Sequence, residues 1–162
     1  MRPIIDTIIR ATIIVGLWAV IGLAVSLVSP SGIPWIYVQA NTVDLSGVKV
    51  DLINEKDARK LFASGEAVFV DARSHEDYDK SHVEGAIFLP PEDVEERYVL
   101  VQPLLPEDAR IILYCYGPEC DMAERVAEFL GQLGYRNMKI MSAGYAAWEK
   151  AGYPVSQSSG GE

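Results

Sequence analysis

The sequence contains little cysteine or histidine, with two of each in 162 residues. Two cysteines are too few for a disulfide scaffold and too few for a four-cysteine zinc site. Positive charge is also scarce: beyond Arg2, Arg10 and Asp6, 12 Lys and Arg stand against 22 Asp and Glu. Because nucleic-acid affinity comes largely from neutralising phosphates, this acidic balance argues against a nucleic-acid partner.

Charge is absent altogether from residues 11–28, a continuous run of 18 mostly apolar residues. As a helix this run would be about 27 Å long, close to the roughly 30 Å hydrocarbon core of a bilayer. The sequence therefore predicts one transmembrane helix, with residues 4–28 in the membrane and residues 1–30 as an N-terminal anchor. Trp35 and Tyr37 follow it, and amphipathic rings favour the membrane boundary.

A cleaved signal peptide is the alternative, because Val38-Gln39-Ala40 has small residues at the positions that a signal peptidase prefers. The length of the apolar run and its distance from that site favour the anchor. Arg2 and Arg10 precede the run, and the next basic residue is Lys49. The positive-inside rule therefore predicts a single-pass protein of the cytoplasmic membrane with its soluble domain on the periplasmic or extracellular side.

The rest of the chain is interpreted as a linker over residues 31–49, a folded domain over 50–156 and a flexible tail over 157–162. In the domain, short apolar runs alternate with segments of helical periodicity, which predicts an α/β fold with a mostly parallel central sheet flanked by helices. The predicted strands cover residues 67–71, 86–89, 110–114 and 138–141. The predicted helices cover residues 55–63, 119–133 and 145–150, with a short helix after Ser74 and another that begins at Pro91.

Both cysteines lie between the third predicted strand and the helix that follows it. Cys115 ends the strand, and Cys120 comes five residues later, after a Gly117-Pro118 turn. Ligands bind at such strand ends, where loop N–H groups and the helix dipole stabilise an anion. A free thiol with a pKa near 8.5 is only about 3% thiolate at pH 7, and such surroundings lower the pKa to about 3.5–7.5. Cys115 is therefore the candidate nucleophile.

Two segments of the sequence resemble the signatures of the rhodanese family. Residues 71–90 are similar to its opening signature, with matches at Asp71, Arg73, Asp77, Tyr78, Ser81, His82, Gly85 and Ala86. The closing Gly-x-x-x-Trp-x-x-x-Gly-x-Pro-Val pattern is matched by Gly144, Trp148, Gly152, Pro154 and Val155. The resemblance covers about residues 50–156.

Rhodaneses are sulfurtransferases, and the resemblance implies the same fold and chemistry here, without a metal or an organic cofactor. It implies that Cys115 takes a sulfane sulfur as a persulfide and passes it to a thiol, cyanide or protein acceptor. It also implies an active-site loop whose backbone amides surround the sulfur, formed by Tyr116, Gly117, Pro118, Glu119, Cys120 and Asp121.

This loop departs from the family pattern in charge. The family commonly has a basic residue directly after the cysteine, an arginine at the fifth position and then Ser or Thr, whereas this chain has Tyr116, Cys120 and Asp121. Glu119 and Asp121 would each repel a thiosulfate dianion by about 2 kcal/mol per unit charge, at an assumed 7 Å and an effective dielectric of about 20. Polysulfide or a protein persulfide is therefore the expected donor.

Cys120 could resolve a persulfide on Cys115 or form a disulfide with it, and two other functions of the domain stay open. The two cysteines are consistent with a dithiol–disulfide redox pair, whose bond would add only about 2 kcal/mol as a structural link. The altered loop is also consistent with a catalytically silent binding module. A phosphatase of related fold is disfavoured because Asp121 stands where it needs an arginine, and a metal site completed by His75 or His82 is disfavoured because two cysteines at this spacing are a weak signal.

Four residues of the two signatures are expected to have structural roles. His82 is predicted to make a structural hydrogen bond below a turn rather than act as a base. Asp71 and Arg73 are predicted to form a polar pair that stabilises the fold beside the site, and Trp148 to anchor the core. Tyr116 is expected either to wall the pocket or to pack over the loop.

Overall fold

The structure is a computed structural model that describes residues 42–158. The predicted transmembrane helix, the anchor over residues 1–30, the first part of the predicted linker and the last residues of the tail lie outside this range. Between residues 42 and 158, no helix is long and apolar enough to cross a membrane.

Strands and helices alternate along the described part of the chain. The strands are β1 Thr42–Leu45, β2 Val48–Ile53, β3 Val68–Asp71, β4 His82–Val83, β5 Ile87–Phe88, β6 Ile111–Tyr114, β7 Met138–Met141 and β8 Val155–Ser156. The helices are α1 Glu55–Ser64, α2 His75–Lys80, α3 Val94–Val101, α4 Met122–Gln132 and α5 Gly144–Lys150, and a 3-10 turn, Gln102–Leu104, follows α3.

The main sheet has six strands in the order β1-β2-β7-β6-β3-β5. All neighbours pair in parallel except β1, which is antiparallel to β2. A separate ribbon joins β4 to β8, with His82 opposite Ser156. The predicted α/β fold with a mostly parallel sheet is confirmed.

Strand β6 lies inside the sheet between β7 and β3, and all four of its residues are buried. Its side chains alternate between two hydrophobic clusters: Leu113 packs in the cluster that contains Leu130 of α4, and Tyr114 in the cluster that contains Trp148 of α5. Trp148 is fully buried and its Nε1 donates to the carbonyl of Pro154 at 2.9 Å. The prediction that Trp148 anchors the core is confirmed.

The predicted linker over residues 31–49 is wrong for residues 42–49, which belong to the β1–β2 hairpin. Ser46 and Gly47 form its two-residue turn, and both have positive φ, at 51° and 90°. Such a turn matches the natural twist of a hairpin, so the glycine connects two strands here instead of interrupting structure. In the sequence, the alternation of polar and apolar residues over 42–50 was the feature that indicated these two strands.

Two helices begin later than predicted. Helix α4 begins at Met122 rather than at residue 119, because residues 115–121 form the loop that carries both cysteines. Helix α3 begins at Val94 rather than at Pro91, because the chain first makes a turn and the helix starts after Asp93, whose carbonyl accepts from the N–H of Arg97 at 3.0 Å. The other predicted elements are confirmed to within two residues at each end.

Candidate active-site loop

Cys115 directly follows β6 and is 3% exposed. Asp71, the last residue of β3, pairs in register with Tyr114, the last residue of β6. The two strands are parallel, so the turn that begins after Asp71 and the loop over residues 115–121 leave the sheet at the same edge. The structure therefore brings together the opening signature and the cysteine, which are far apart in sequence.

The structure joins Cys115 to Cys120 in a disulfide. Their Cα atoms lie 6.2 Å apart, within the range that disulfides occupy. Cys120 is half-buried and packs against the same cluster as Cys115. Of the possibilities that the sequence left open for Cys120, direct bonding to Cys115 is the one found.

The first turn of α5 holds the loop through its backbone. The N–H of Tyr145 donates to the carbonyl of Cys115 at 2.7 Å, and the N–H of Ala146 donates to the carbonyl of Tyr116 at 3.2 Å. These bonds satisfy N–H groups that have no partner within the helix at its N-terminus. No residue of α5 was among the predicted site residues.

Gly144 makes this contact possible. Its φ of +64° lies in the left-handed region, and a Cβ placed on it would come within 2.5 Å of the backbone nitrogen of Gly117. Only glycine avoids both the conformational cost and the overlap. The match of Gly144 to the closing signature was the only sign in the sequence that this position belongs to the site.

Tyr116 fastens the loop to α2. Its hydroxyl donates to a carboxylate oxygen of Asp77 at 2.5 Å and lies 3.2 Å from Oγ of Ser74, which donates to the same carboxylate oxygen at 2.8 Å. The ring is 38% exposed and borders a surface depression together with residues 117–120. Tyr116 therefore borders this depression and is hydrogen-bonded to α2, and its expected role as a pocket wall stays a prediction.

The hydrogen bond from Tyr116 and a second bond from Ser74 stabilise the ionised form of Asp77 and lower the pKa of this carboxyl. A negative charge therefore lies where α2 meets the loop.

Arg73 and Asp71 form a buried ion pair, with a guanidinium nitrogen 2.7 Å from a carboxylate oxygen and exposures of 3% and 0%. The same guanidinium donates to the carbonyl of Ser81 and lies 3.8 Å from the ring centroid of Tyr145. Burial by itself would lower the pKa of Arg73, but the hydrogen bond and charge of Asp71 outweigh it, so the pKa is raised. The predicted polar pairing of Asp71 with Arg73 is confirmed.

The charge of Arg73 is thus already balanced by a buried carboxylate. The rim of the loop carries Glu119 and Asp121, both exposed. The loop therefore lacks the basic residues typical of its signature, and Arg73 does not replace them as a free cation.

Some N–H groups of the loop lack a backbone hydrogen-bond partner among the described residues. The N–H of Cys120 donates to the carbonyl of Gly117 at 3.2 Å, whereas the N–H groups of Tyr116, Gly117 and Glu119 have no backbone partner among residues 42–158. The predicted ring of amides around the Cys115 sulfur stays a prediction.

His82 has a structural role. Its Nδ1 lies 2.7 Å from the carbonyl oxygen of Tyr78, its ring stacks on the Tyr78 ring with centroids 3.8 Å apart, and it is 6% exposed. The expected structural hydrogen bond is confirmed. Over residues 42–158, no three or more His, Cys, Asp or Glu side chains are grouped so that they could hold a metal ion.

A parallel-sheet α/β domain with a cysteine loop after its central strand is the class that this geometry defines. Residues 54–151, more than half of the chain, match the rhodanese-like domain family. The chain belongs to the rhodanese-like family.

Two curated relatives share this region of the chain. An HTH-type transcriptional regulator of Mycobacterium tuberculosis is 31% identical over 120 residues, which is 74% of this chain and 51% of the regulator. A tRNA uridine(34) hydroxylase of Salmonella typhimurium is 32% identical over 78 residues, which is 47% of this chain and 22% of the hydroxylase. The chain thus spans about half the length of the first and about a fifth of the second.

Solved structures share the fold. A Bacillus halodurans protein superposes with a TM-score of 0.59 at 28% identity, covering 66% of this chain and 77% of that one. The rhodanese-like domain of an Anabaena protein gives a TM-score of 0.55 at 23% identity, covering 65% of this chain and 78% of that one.

Replacing Gly144 by alanine should displace the loop. Gly144→Ala combines left-handed strain with backbone overlap, whereas Gly152→Ala, at a φ of +68°, meets nothing within 4 Å and has the strain alone. We expect Gly152→Ala to lower the free energy of unfolding by about 1–2 kcal/mol and Gly144→Ala to lower it by more. Urea unfolding measures both, and equal losses would contradict the proposed contact between α5 and the loop.

Removing the Tyr116 hydroxyl should raise the pKa of Asp77 towards its ordinary value of 3.8. Because the folded-state pKa of Asp77 is lowered, its stabilising contribution is present above the unfolded pKa and is lost as the pH falls through the folded pKa. Tyr116→Phe should therefore be less stable than the parent protein at pH 7, with a smaller difference below pH 3.8. NMR titration of the Asp77 carboxyl measures the shift, and Tyr153→Phe, whose ring packs on Trp148 instead, should leave it unchanged.

Proposed function

We propose that this protein is a sulfurtransferase that carries sulfane sulfur as a persulfide on Cys115. The observation that carries the proposal is the position of Cys115, directly after the buried central strand β6, with its carbonyl fixed by the N–H of Tyr145. Membership of the rhodanese-like family supports the same chemistry. A reactive atom held by rigid elements meets the donor in one orientation.

The proposed reaction begins with the reduced loop. The Cys115 thiolate attacks the outer sulfur of a persulfide donor; a bond forms between Sγ and that sulfur, the donor S–S bond breaks, and the donor leaves as a thiolate. An acceptor thiolate then attacks the transferred sulfur, and the Cys115 thiolate is released. The two steps involve no net oxidation, so the proposal requires neither a metal nor an organic cofactor.

The charges around the loop support polysulfide or a protein persulfide as the donor. Glu119 and Asp121 are exposed on the loop, and the charge of Arg73 is compensated by Asp71. A dianion such as thiosulfate would approach two carboxylates without a free cation to offset them, whereas a donor of lower charge meets less repulsion.

A second candidate function is dithiol–disulfide exchange with another protein, and the Cys115–Cys120 disulfide favours it. In that reaction a partner dithiol is oxidised as the disulfide is reduced, and no sulfane sulfur is carried. The two functions differ in whether Cys115 ever holds an additional sulfur atom.

We also propose that the domain is tethered to the cytoplasmic membrane through residues 4–28 and faces outwards. The uncharged run over residues 11–28 and the basic residues before it support this arrangement. In intact cells, we expect a membrane-impermeant maleimide to label Cys115 or Cys120 after reduction. Labelling only after lysis would contradict the outward orientation, and a double Cys→Ser variant gives the background.

Mass spectrometry of the reduced protein tests sulfur transfer. After incubation with glutathione persulfide, we expect Cys120→Ser to gain about 32 Da and to lose this mass on addition of cyanide. The gain should be absent from the variant that also carries Cys115→Ser. Unchanged mass in Cys120→Ser with either glutathione persulfide or polysulfide would contradict the proposed function.

A further inference from the structure

We infer that Cys120 is a resolving thiol that discharges the Cys115 persulfide as hydrogen sulfide. This inference rests on the proposed sulfurtransferase function and deepens it, because it names the fate of the carried sulfur. The domain would then reduce sulfane sulfur at the expense of a dithiol, instead of only passing the sulfur to an acceptor.

The geometry of the loop supports direct attack by Cys120. The two cysteines form a bond while their Cα atoms lie 6.2 Å apart and while α5 still holds the carbonyls of Cys115 and Tyr116. Bond formation therefore requires no separation of the loop from α5. A thiol that reaches Sγ of Cys115 in this arrangement can also attack that atom when it carries an additional sulfur.

The proposed step reduces the outer sulfur and oxidises the two cysteines. The Cys120 thiolate attacks Sγ of the Cys115 persulfide, the Cys115–Cys120 bond forms, and the bond from Sγ to the outer sulfur breaks. The outer sulfur leaves with the electron pair as HS⁻, so sulfane sulfur is reduced by two electrons while the two cysteines are oxidised to the disulfide. A dithiol reductant then reduces the disulfide and becomes a disulfide itself.

The exposures of the two cysteines suit the second half of this cycle. Cys115 is 3% exposed, whereas Cys120 is half-buried and borders the depression beside Tyr116. An incoming thiolate therefore meets the Cys120 sulfur first. Attack there expels the Cys115 thiolate, which is the form that accepts the next sulfur atom.

A purely structural disulfide explains the same pair less well. The bond joins residues only five positions apart, and the entropy removed from the unfolded chain is small for so short a loop. The bond also blocks the thiol of Cys115, which the proposed transfer requires. A reversible bond accounts for both features.

The test compares the full chain with Cys120→Ser, each reduced with dithiothreitol, freed of reductant without oxygen and mixed with glutathione persulfide. This donor leaves as glutathione, so sulfide arises only from a later step. We expect the parent protein to release about one sulfide per chain and to lose about 2 Da relative to the reduced form. We expect Cys120→Ser to retain the additional 32 Da and to release sulfide at least about tenfold more slowly.

The remaining outcomes separate the two proposals. A parent protein that keeps the additional 32 Da as Cys120→Ser does would overturn the resolving role and leave sulfur transfer intact. A disulfide formed without stoichiometric sulfide would also overturn the resolving role. No mass gain in Cys120→Ser would overturn sulfur transfer itself. Cys120→Ala should behave as Cys120→Ser does; sulfide release from it like that of the parent protein would contradict the resolving role.

Discussion

The buried ion pair between Arg73 and Asp71 is the interaction on which the geometry of the site depends. Its guanidinium contacts the end of β3, the carbonyl of Ser81 after α2 and the ring of Tyr145 on α5. A buried charge that loses its partner is strongly destabilising, so these three elements are held in one arrangement. Helix α5 in turn holds the carbonyls of the cysteine loop. The ion pair is thus linked to Cys115 through Tyr145, whose ring contacts Arg73 and whose N–H donates to the Cys115 carbonyl.

The loop combines a shielded sulfur with an acidic rim. Cys115 is buried in the core and bonded to Cys120, while Glu119 and Asp121 are exposed. Cys120 is half-buried and borders the depression beside Tyr116, so the more exposed of the two cysteines lies next to this acidic rim.

Much of the fold could be predicted because buried parallel strands are continuous apolar runs. The segment around Ile112 is such a run, and Leu130 belongs to an amphipathic helix of recognisable spacing. The β1–β2 hairpin was missed because its strands are partly exposed, so their alternation resembled a linker. Local pattern is weakest where strands depend on distant partners, as β2 does on β7.

The site was predictable in its residue types but not in its contacts. The position of Cys115 after a strand indicated a nucleophile, and the opening signature indicated Asp71 and Arg73 beside it. The bonds from Tyr145 to the Cys115 carbonyl and from Tyr116 to Asp77 join segments that are remote in sequence. Tertiary packing alone creates such bonds, so no local pattern encodes them. The state of the cysteine pair likewise depended on how the loop folds.

The hairpin also determines how the main sheet ends. Among residues 42–158 its outermost strands are β1 and β5, which have four and two residues. The side chain of Asp44 on β1 accepts from the N–H of Gly47, which places a carboxylate at that border. Short borders that carry charge offer little backbone for an added strand and resist edge-to-edge aggregation. The hairpin therefore gives β2 a hydrogen-bonded neighbour on each side, and the edge of the described sheet passes to β1 and its carboxylate.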